Sequence, residues 1–434
     1  MGEALLVRKG GGGSKDVVNG IIEEYYAATE DINANTFVEF ANASQVSDFT
    51  SFSNSIGSFS SARFKAIKLS DNKICVANVE NGSSFYMRIV EINDDGTLTV
   101  GTMLTVLCSA YTIFMDRLSD DKFFVAMNYS NGNGTMYVFS VSGTVITQLS
   151  YQGRTTNEGS ITDISSIDEN RILATRYYSS NLHIDLWVLS GTTLTKSLTT
   201  SFSHMNNTLL HIHALSSNKA LLLFSDAQSI TASIYQRFLK AAVISVSSAA
   251  ITVGTATTAP YQMSGFAKSN KISSDTIFIF DTLQNTSETS TAATIIGSVI
   301  KIENNDVIHM GSPTVLGNGP VRVQSSKLLT ADNNNGILIP VTGGENAVGA
   351  FIPVKIQGIT CVSGERFILS NNNSCGICCF SFGSVFIGVQ AANLIYSIKC
   401  SSLLKIKEAN SVIQGLTKSK ATTTKKGKVQ ILNR

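Results

Sequence analysis

Proline is scarce in this chain, with five in 434 residues, and only 15% of the residues are charged. The first excludes a proline-rich stalk or linker. The second lies below the ~25% usual for soluble domains, but a hydrophobic content of 43% is too high for a disordered chain. Neither charge sign dominates. With 33 basic and 31 acidic residues the net charge is +2, which excludes a globally basic nucleic-acid binder. No long apolar run opens the chain, because Leu5-Leu6-Val7 gives way to glycines from Gly10; a secretory leader is therefore not expected. The uncharged stretch Ala241 to Ala267 is broken by Ser, Thr, Gly and Pro260 and alternates like a strand, so no membrane insertion is expected either.

Chemical motifs are equally sparse. There is no Gly-x-Ser-x-Gly elbow with a plausible triad, no phosphate-binding Gly-Lys-Ser/Thr loop and no His-Glu-x-x-His. Seven cysteines without a leader indicate reduced thiols and cytosolic assembly. Cys375-Gly376-Ile377-Cys378-Cys379, with Cys361 and Cys400 as distant partners, has the spacing of a metal knuckle. It lacks a second paired motif or a nearby His and runs into Phe380-Ser381-Phe382, which favours cysteine as a small buried hydrophobe. His211 and His213 share a face if they lie on a strand, with no obvious third ligand. Asp332-Asn333-Asn334-Asn335-Gly336 has the start of a calcium loop, but Gly343 stands where the bidentate Glu belongs. No catalytic residue, metal or cofactor is expected, and the chain reads as a binder rather than an enzyme.

What the chain does contain is repetition. A tight polar turn, a basic residue and a dense apolar run recur together. The phrase appears as Leu69-Ser-Asp-Asn-Lys73 before Ile74-Cys-Val-Ala77, and as Leu118-Ser-Asp-Asp-Lys122 before Phe123-Phe-Val-Ala126. It returns at Ile167-Asp-Glu-Asn-Arg171 and Leu215-Ser-Ser-Asn-Lys219, with looser copies ending at Lys271, Lys327 and Arg366. The basic residues are thus spaced by 49, 49, 48, 52, 56 and 39 positions.

Each copy reads as four strands joined by turns; in the first, Phe64–Leu69, Lys73–Val79, Phe85–Ile92 and Leu98–Val100. The second strands are apolar on both faces, which suits sheets covered on both sides. Units of this length and strand count match propeller blades. The expected fold is an all-β, seven-bladed β-propeller over 46–389, between an N-terminal Gly-rich attachment segment (1–45) and a basic C-terminal β module (390–434). The last copy is short, so an early segment, Phe37 to Phe40 or Val46 to Phe52, is expected to complete it.

The two ends have opposite charge. Residues 399–434 carry nine basic side chains and one acid, whereas Lys15 to Phe40 carry one Lys and six acids, so the two segments are expected to dock. The opening Met1-Gly-Glu-Ala-Leu-Leu-Val-Arg-Lys9 with Gly10 to Gly13 resembles the start of tail and baseplate proteins from phages of Gram-positive bacteria. Ile413-Gln-Gly-Leu-Thr-Lys-Ser-Lys-Ala421 and Gly427-Lys-Val-Gln-Ile-Leu432 are similar to a β-module that closes such proteins, and the resemblance extends to phage-tail-like bacteriocins (tailocins). It implies a virion component, a receptor-binding protein engaged in host recognition. Leu5, Leu6, Val7, Arg8 and Lys9 would attach it to the baseplate. It also implies other tail and baseplate proteins as partners, together with a bacterial cell-surface glycan or surface protein. A homo-oligomer such as a trimer, in a particle assembled in the bacterial cytoplasm, would raise avidity. The alternatives are a structural baseplate protein that contacts only tail subunits, and a glycan depolymerase.

In a propeller the loops between second and third strands collect at one end. Here they are expected to carry Asn81, Asn128, Tyr129, Asn131, Tyr177, Tyr178, Asn181, Asp226, Asn285, Asn334 and Asn372. Amides and carboxylates bond sugar hydroxyls, and an aromatic face covers the apolar side of a sugar ring. Asn is also an ordinary turn residue. Trp187, the sole Trp, lies between Leu186 and Val188, which suits packing between blades.

Overall fold

The computed structural model describes residues 23–26, 37–40 and 49–55 and most of 64–318. Beyond these it describes the segments 329–330, 336–341, 350–363, 367–368, 378–382, 385–390, 394–400, 404–406, 415–417 and 427–431. All regular elements among them are strands, arranged in eight antiparallel sheets. The architecture is an all-β propeller.

Seven sheets each take four strands, mostly from one stretch of chain. The first holds Phe64–Ser70, Lys73–Glu80, Ser84–Ile92 and an outer strand in two pieces, Leu98–Val100 and Leu104–Leu107. The second runs Ala110–Ser119, Lys122–Tyr129, Gly134–Ser142, Val145–Arg154. Ser160–Ser166, Arg171–Tyr178, Asn181–Ser190 and Thr193–Ser203 form the third. The fourth, fifth and sixth open with Leu210–Ser216, Lys268–Ser273 and Leu329–Thr330. Cys378–Phe382, Val385–Gln390 and Leu394–Cys400 begin the seventh, and Phe49–Ser55 from the start of the chain is its outer strand. Of the two early segments expected to complete the last unit, the later one does so. The boundary expected at 389 falls inside a strand that needs Leu394–Cys400 as its partner, so this sheet extends to Cys400.

First strands touch one another from the first sheet to the fourth, Lys268–Ser273 meets Leu210–Ser216 through His213 and Lys271, and Cys378–Phe382 touches both Leu329–Thr330 and Phe64–Ser70. Strands that meet their counterparts on both sides lie where sheets converge, so the first strands are innermost. Side chains tie them together. Asp116 Oδ2 accepts the Ser166 N–H at 2.6 Å, Asp163 Oδ2 accepts the Ile212 N–H at 3.0 Å, and Ser165 Oγ accepts the Ala214 N–H at 2.9 Å. These bonds span 50, 49 and 49 residues, which is the repeat interval itself.

The turns that open the second strands of the first, second and fourth sheets have a local cause. A serine hydroxyl donates to the side-chain oxygen two residues on, Ser70 to Asn72 at 3.0 Å, Ser119 to Asp121 at 2.6 Å and Ser216 to Asn218 at 2.9 Å. The same bond joins Ser273 to Asp275, which corrects the phase of the fifth copy. Its second strand begins at Thr276, not at Lys271, which lies in the strand before. The sixth and seventh second strands begin at Gly336 and Val385. Lys327 and Arg366 lie outside the described residues, but the runs expected to follow them as second strands do not serve as such. Leu329–Thr330 is the first strand of the sixth sheet, and Phe367–Ile368 is an outer piece of that same sheet. Measured between second strands starting at Lys73, Lys122, Arg171, Lys219, Thr276, Gly336 and Val385, the spacings are 49, 49, 48, 57, 60 and 49.

Apolar second strands divide their faces between two cores. Phe123, Val125 and Met127 pack with Phe85, Met87 and Ile89 of the first sheet, while Phe124 and Ala126 pack with Ile172, Ala174 and Trp187 of the third. The alternation repeats with Leu173 against the fourth sheet and Leu221 and Leu223 against the fifth. Each such Phe or Leu contributes about 1.5–3 kcal/mol by leaving water. Cys75 and Cys361 are buried in these cores, and burial pushes both thiols up. Cys361 packs in the core between the fifth and sixth sheets, its Sγ 3.6 Å from the Gly297 carbonyl oxygen.

A second repeated device was not anticipated. The outer strands of the first, fourth and fifth sheets break at Gly101, Gly254 and Gly311, whose N–H groups donate to Ile89, Val243 and Val299 carbonyls at 2.8 Å each. Gly101 and Gly311 sit hard against the carbonyls of Thr144 and Ile359, in the outer hairpins of the following sheets. Only a residue without a Cβ permits that approach.

The eighth sheet interleaves the two ends in the order Glu23–Tyr26, Gly427–Ile431, Gly415–Thr417, Phe37–Phe40, Leu404–Ile406. The acidic and basic segments thus dock as strands, with Glu39 in register with Lys405. The expected end segments share one sheet instead of forming two modules.

Candidate functional site

In an antiparallel four-stranded sheet, the hairpin between the second and third strands shares an end with the connection to the next sheet. The hairpin after Tyr178 and the connector at Glu158–Gly159 therefore lie at the same end of the third sheet. Between the second and third sheets, this end is polar where the rest of the seam is apolar.

Two arginines organise it. Arg154 closes the outer strand of the second sheet; its Nη2 donates to Asn128 Oδ1 at 2.7 Å and its Nη1 to the Gly159 carbonyl at 2.9 Å. Arg176, on the second strand of the third sheet, donates from Nε to Asp185 Oδ2 at 2.6 Å and from Nη1 to the Glu158 carbonyl at 2.7 Å. Thr199 donates to the other Asp185 oxygen at 2.8 Å. Arg176 and Asp185 are buried. Such a pair requires this full satisfaction, because charge removed from water without partners is costly. Burial lowers the Arg154 guanidinium below its ordinary value, opposed by the charges of Glu158 and Asp185.

Nearer the surface, Lys196 forms an ion pair with Glu158 and lies over the Trp187 ring, 5.7 Å from its centroid. Burial alone would raise the Glu158 carboxyl, but the Lys196 hydrogen bond and charge outweigh it and hold the group below the usual carboxylate range. His183 is lowered by burial and then by the Arg176 charge. Three buried nitrogens at this seam have no hydrogen-bond partner: Arg154 Nε, His183 Nδ1 and Trp187 Nε1. Trp187 is 3% exposed and packs between the sheets, as its apolar neighbours predict.

The structure divides the expected ligand residues. Tyr177, Tyr178 and Asn181 flank one hairpin, with Tyr178 exposed and its ring 6.4 Å from that of His183. Tyr129 is half-buried and its hydroxyl meets Thr135 Oγ1 at 2.7 Å. Asn128 is a correction. Its Nδ2 donates to the Ile161 carbonyl at 2.7 Å and its Oδ1 accepts the Ile161 N–H at 2.9 Å as well as Arg154. It is a buried bridge between sheets. Asp226 is not in a loop but within the strand Lys219–Thr231, which runs on to a hairpin before Ile234. Asn81, Asn131, Asn285, Asn334 and Asn372 lie outside the described residues, as do Leu5, Leu6, Val7, Arg8 and Lys9. The strands on either side of Asn334 are the first and second of their sheet, not the second and third.

Sequence reasoning passed over Arg154, Glu158, Arg176, Asp185 and Lys196. The available signal was Arg176, a cation on an apolar strand where the copies have Asn78, Met127 and Phe224. Asp185, inside Leu182-His-Ile-Asp-Leu-Trp187, was its counterpart.

His211 and His213 do share a strand face, their rings 6.3 Å apart and nearly parallel at 13°. Each has its own partner. His211 Nδ1 is 3.5 Å from Asp163 Oδ2, and His213 Nε2 is 2.7 Å from Ser269 Oγ. Burial and then the charge of His211 bring His213 down to about 3. Among the described residues no three His, Cys, Asp or Glu side chains are grouped to hold a metal, and no helix is long and apolar enough to cross a membrane.

No known family profile matches the chain, and no curated protein matches it in sequence. Solved structures align with the chain at low identity and with TM-scores below 0.5. The C-terminal WD40 domain of Sif2 is 8% identical over 81% of this chain and 99% of that chain, with a TM-score of 0.46. Sqt1 of Saccharomyces cerevisiae is 7% identical over 87% and 100%, at 0.40. Kuenenia stuttgartiensis hydrazine synthase is 10% identical over 76% and 93%, at 0.48.

Proposed function

We propose that the seven sheets close into a seven-bladed propeller that serves as a receptor-binding module of a phage-type tail or tailocin. It recognises a bacterial surface glycan or surface protein at the end where the second-to-third-strand hairpins lie. The observation that carries this reading is the seam between the second and third sheets. There, Arg154 Nε and His183 Nδ1 are buried without a hydrogen-bond partner at the end that carries the Tyr177–Tyr178 hairpin. Such a combination of ring faces and oriented polar groups is what a hydroxyl-rich ligand requires. The carboxylates at the seam are engaged by Arg176, Thr199 and Lys196, an arrangement that favours binding over acid–base chemistry. The resemblance of the chain's ends to tail and baseplate proteins supplies the setting, with homo-oligomerisation on the particle providing avidity.

The test is retention of the purified full-length chain on intact Gram-positive cells and on cell-wall extracts. Saturable retention that falls at least about tenfold in Tyr177→Ala/Tyr178→Ala is expected, since an aromatic contact at the centre of an interface is worth about 1.4 kcal/mol or more. Absence of retention, together with co-assembly with tail subunits, would instead establish a structural baseplate role. Release of oligosaccharide would establish a depolymerase.

A further inference from the structure

We infer that the innermost contact between the fourth and fifth sheets is an acid-sensitive latch. Neutral His213 holds Ser269, and acid, by protonating the freed ring, opens this seam ahead of the apolar seam between the first and second sheets. The device does not depend on what the propeller binds.

The repeat places one side chain of each early first strand where it faces the following sheet. That position lies six residues before the second strand, at Ile67, Asp116, Ser165 and His213. Its chemistry changes from sheet to sheet. Ile67 is buried in the apolar core between the first and second sheets. Asp116 accepts the Ser166 N–H and Ser165 accepts the Ala214 N–H, so both tie the next first strand through its backbone. His213 instead meets a side chain, with Nε2 2.7 Å from Ser269 Oγ. Of these three polar ties, only the last runs through a group that ordinarily changes charge between neutral and mildly acid pH.

The surroundings of His213 do not suit a charged ring. On its own strand, the His211 ring lies nearly parallel to it at 6.3 Å. From the fifth sheet, Lys271 crosses to the Ala214 carbonyl and sets an ammonium group nearby, itself within the influence of Asp116. Leu221 is its neighbour in the second strand. The carboxylate that acts on the ring, Asp163 of the third sheet, is already engaged by His211 and the Ile212 N–H. Burial and then the charges of His211 and Lys271 therefore keep His213 neutral down to about 3, whereas a hydrated imidazole takes its proton near 6.5. Between these limits the opened form binds the extra proton, so opening becomes easier as pH falls through this window and the latch is complete above it. The contact that parts is the core in which Leu221, Leu223 and Ala241 of the fourth sheet meet Ile277 and Ile279 of the fifth.

Opening can be followed by thiol chemistry in the full-length protein. Ala241→Cys places a thiol in this core, and native Cys75, buried between the first and second sheets, is the internal reference. Both are labelled with a dipyridyl disulfide at about pH 7.5 and about pH 4.5, on either side of the ordinary histidine value. Sites are identified by peptide mass spectrometry, and each rate is divided by that of the urea-unfolded chain at the same pH. Relative labelling of the Ala241→Cys thiol should rise about a hundredfold at the lower pH, the factor supplied by one group that titrates near 6.5 only when open. There it should exceed that of Cys75 by at least about tenfold, because the seam parts without unfolding of the chain. Adding His213→Gln should remove most of the rise. Ser269→Ala, which keeps the histidine and removes its partner, should raise opening at the higher pH about fivefold, the worth of one hydrogen bond. Equal relative labelling of the two thiols overturns the latch, since opening is then global. An undiminished rise with His213→Gln overturns it as well, and so does unchanged opening with Ser269→Ala. Melting at neutral pH shows which variants fold; should His213→Gln not fold, the two thiols and Ser269→Ala decide.

Discussion

The seam between the first and second sheets and the seam between the second and third occupy equivalent places in the repeat, yet they are built from different chemistry. In the first, Phe123 stacks on Phe139 at 5.3 Å and Tyr137 on Phe139 at 5.6 Å, and Met127 and Val79 continue the apolar contact towards the hairpins. In the second, Phe124, Val138 and Ile172 form an apolar inner part that gives way to Asn128, Arg154, Arg176 and Asp185. The repeat therefore fixes where a side chain stands, while the residue placed there decides whether the seam is glued by dispersion or by a charged network. Of these two seams, the charged one holds Arg154 Nε, His183 Nδ1 and Trp187 Nε1, buried without a hydrogen-bond partner.

Removing a partner should expose the difference most strongly. Asp185→Ala leaves Arg176 buried without its carboxylate and is expected to cost about 3–5 kcal/mol in denaturant unfolding, as much as Phe123→Ala in the apolar seam. The two losses should respond differently to rescue. Arg176→Met with Asp185→Leu should recover most of the stability, because an apolar replacement of a buried pair is close to neutral. Failure of the double variant to exceed Asp185→Ala would mean the network is required for folding.

The innermost strands extend the comparison to pH. Folded His213 stays neutral down to about 3, whereas the unfolded residue takes a proton near its ordinary value of 6.5. Between these limits the unfolded chain binds more protons, so stability should fall as pH drops through this window, by a few kcal/mol in all. Asp163 adds a further loss at lower pH. Burial would raise its carboxyl, but His211 and the Ile212 N–H outweigh this and hold it low. His213→Gln should flatten the upper part of the profile in melting experiments.

A smaller effect separates equivalent glycines. Gly311→Ala should lose about 1–3 kcal/mol by overpacking against the Ile359 carbonyl. Gly254→Ala should lose clearly less, since the nearest atom to its added Cβ is the Val243 carbonyl oxygen at 3.2 Å. Equal losses would show that the outer-strand break, not the approach of the next sheet, needs glycine. The smallest change is expected at the docked ends. Lys405→Glu sets like charges opposite at Glu39 and should cost less than about 1 kcal/mol, with a dependence on salt.

Much of the architecture was legible in residues. Polar turns ending in a basic residue marked the first four units because side-chain bonds within each turn form it locally, a serine–Asx bond in the first, second and fourth and Asp168 with Asn170 and Arg171 in the third. Phase was lost at the fifth unit because Lys271 has the right charge in the wrong strand, while the true turn ends at Thr276. The site was legible only in part. Tyr177 and Tyr178 stood out as aromatics beside a hairpin, but Asn128 looked the same as any loop amide, and its role depends on Ile161 and Arg154, 33 and 26 residues away.

By itself, then, the order of residues determined the strands, turns and interval of the first four units and the opposite charges of the ends, because each depends on contacts within a few positions or on composition. Tertiary structure alone decided which of the two early segments completes the last sheet, that the docked ends form a single sheet, and that Arg154, Arg176, Lys196 and Trp187 meet at one seam. Those outcomes depend on which faces are brought together across whole repeats, and no local pattern encodes the neighbour a side chain finds there.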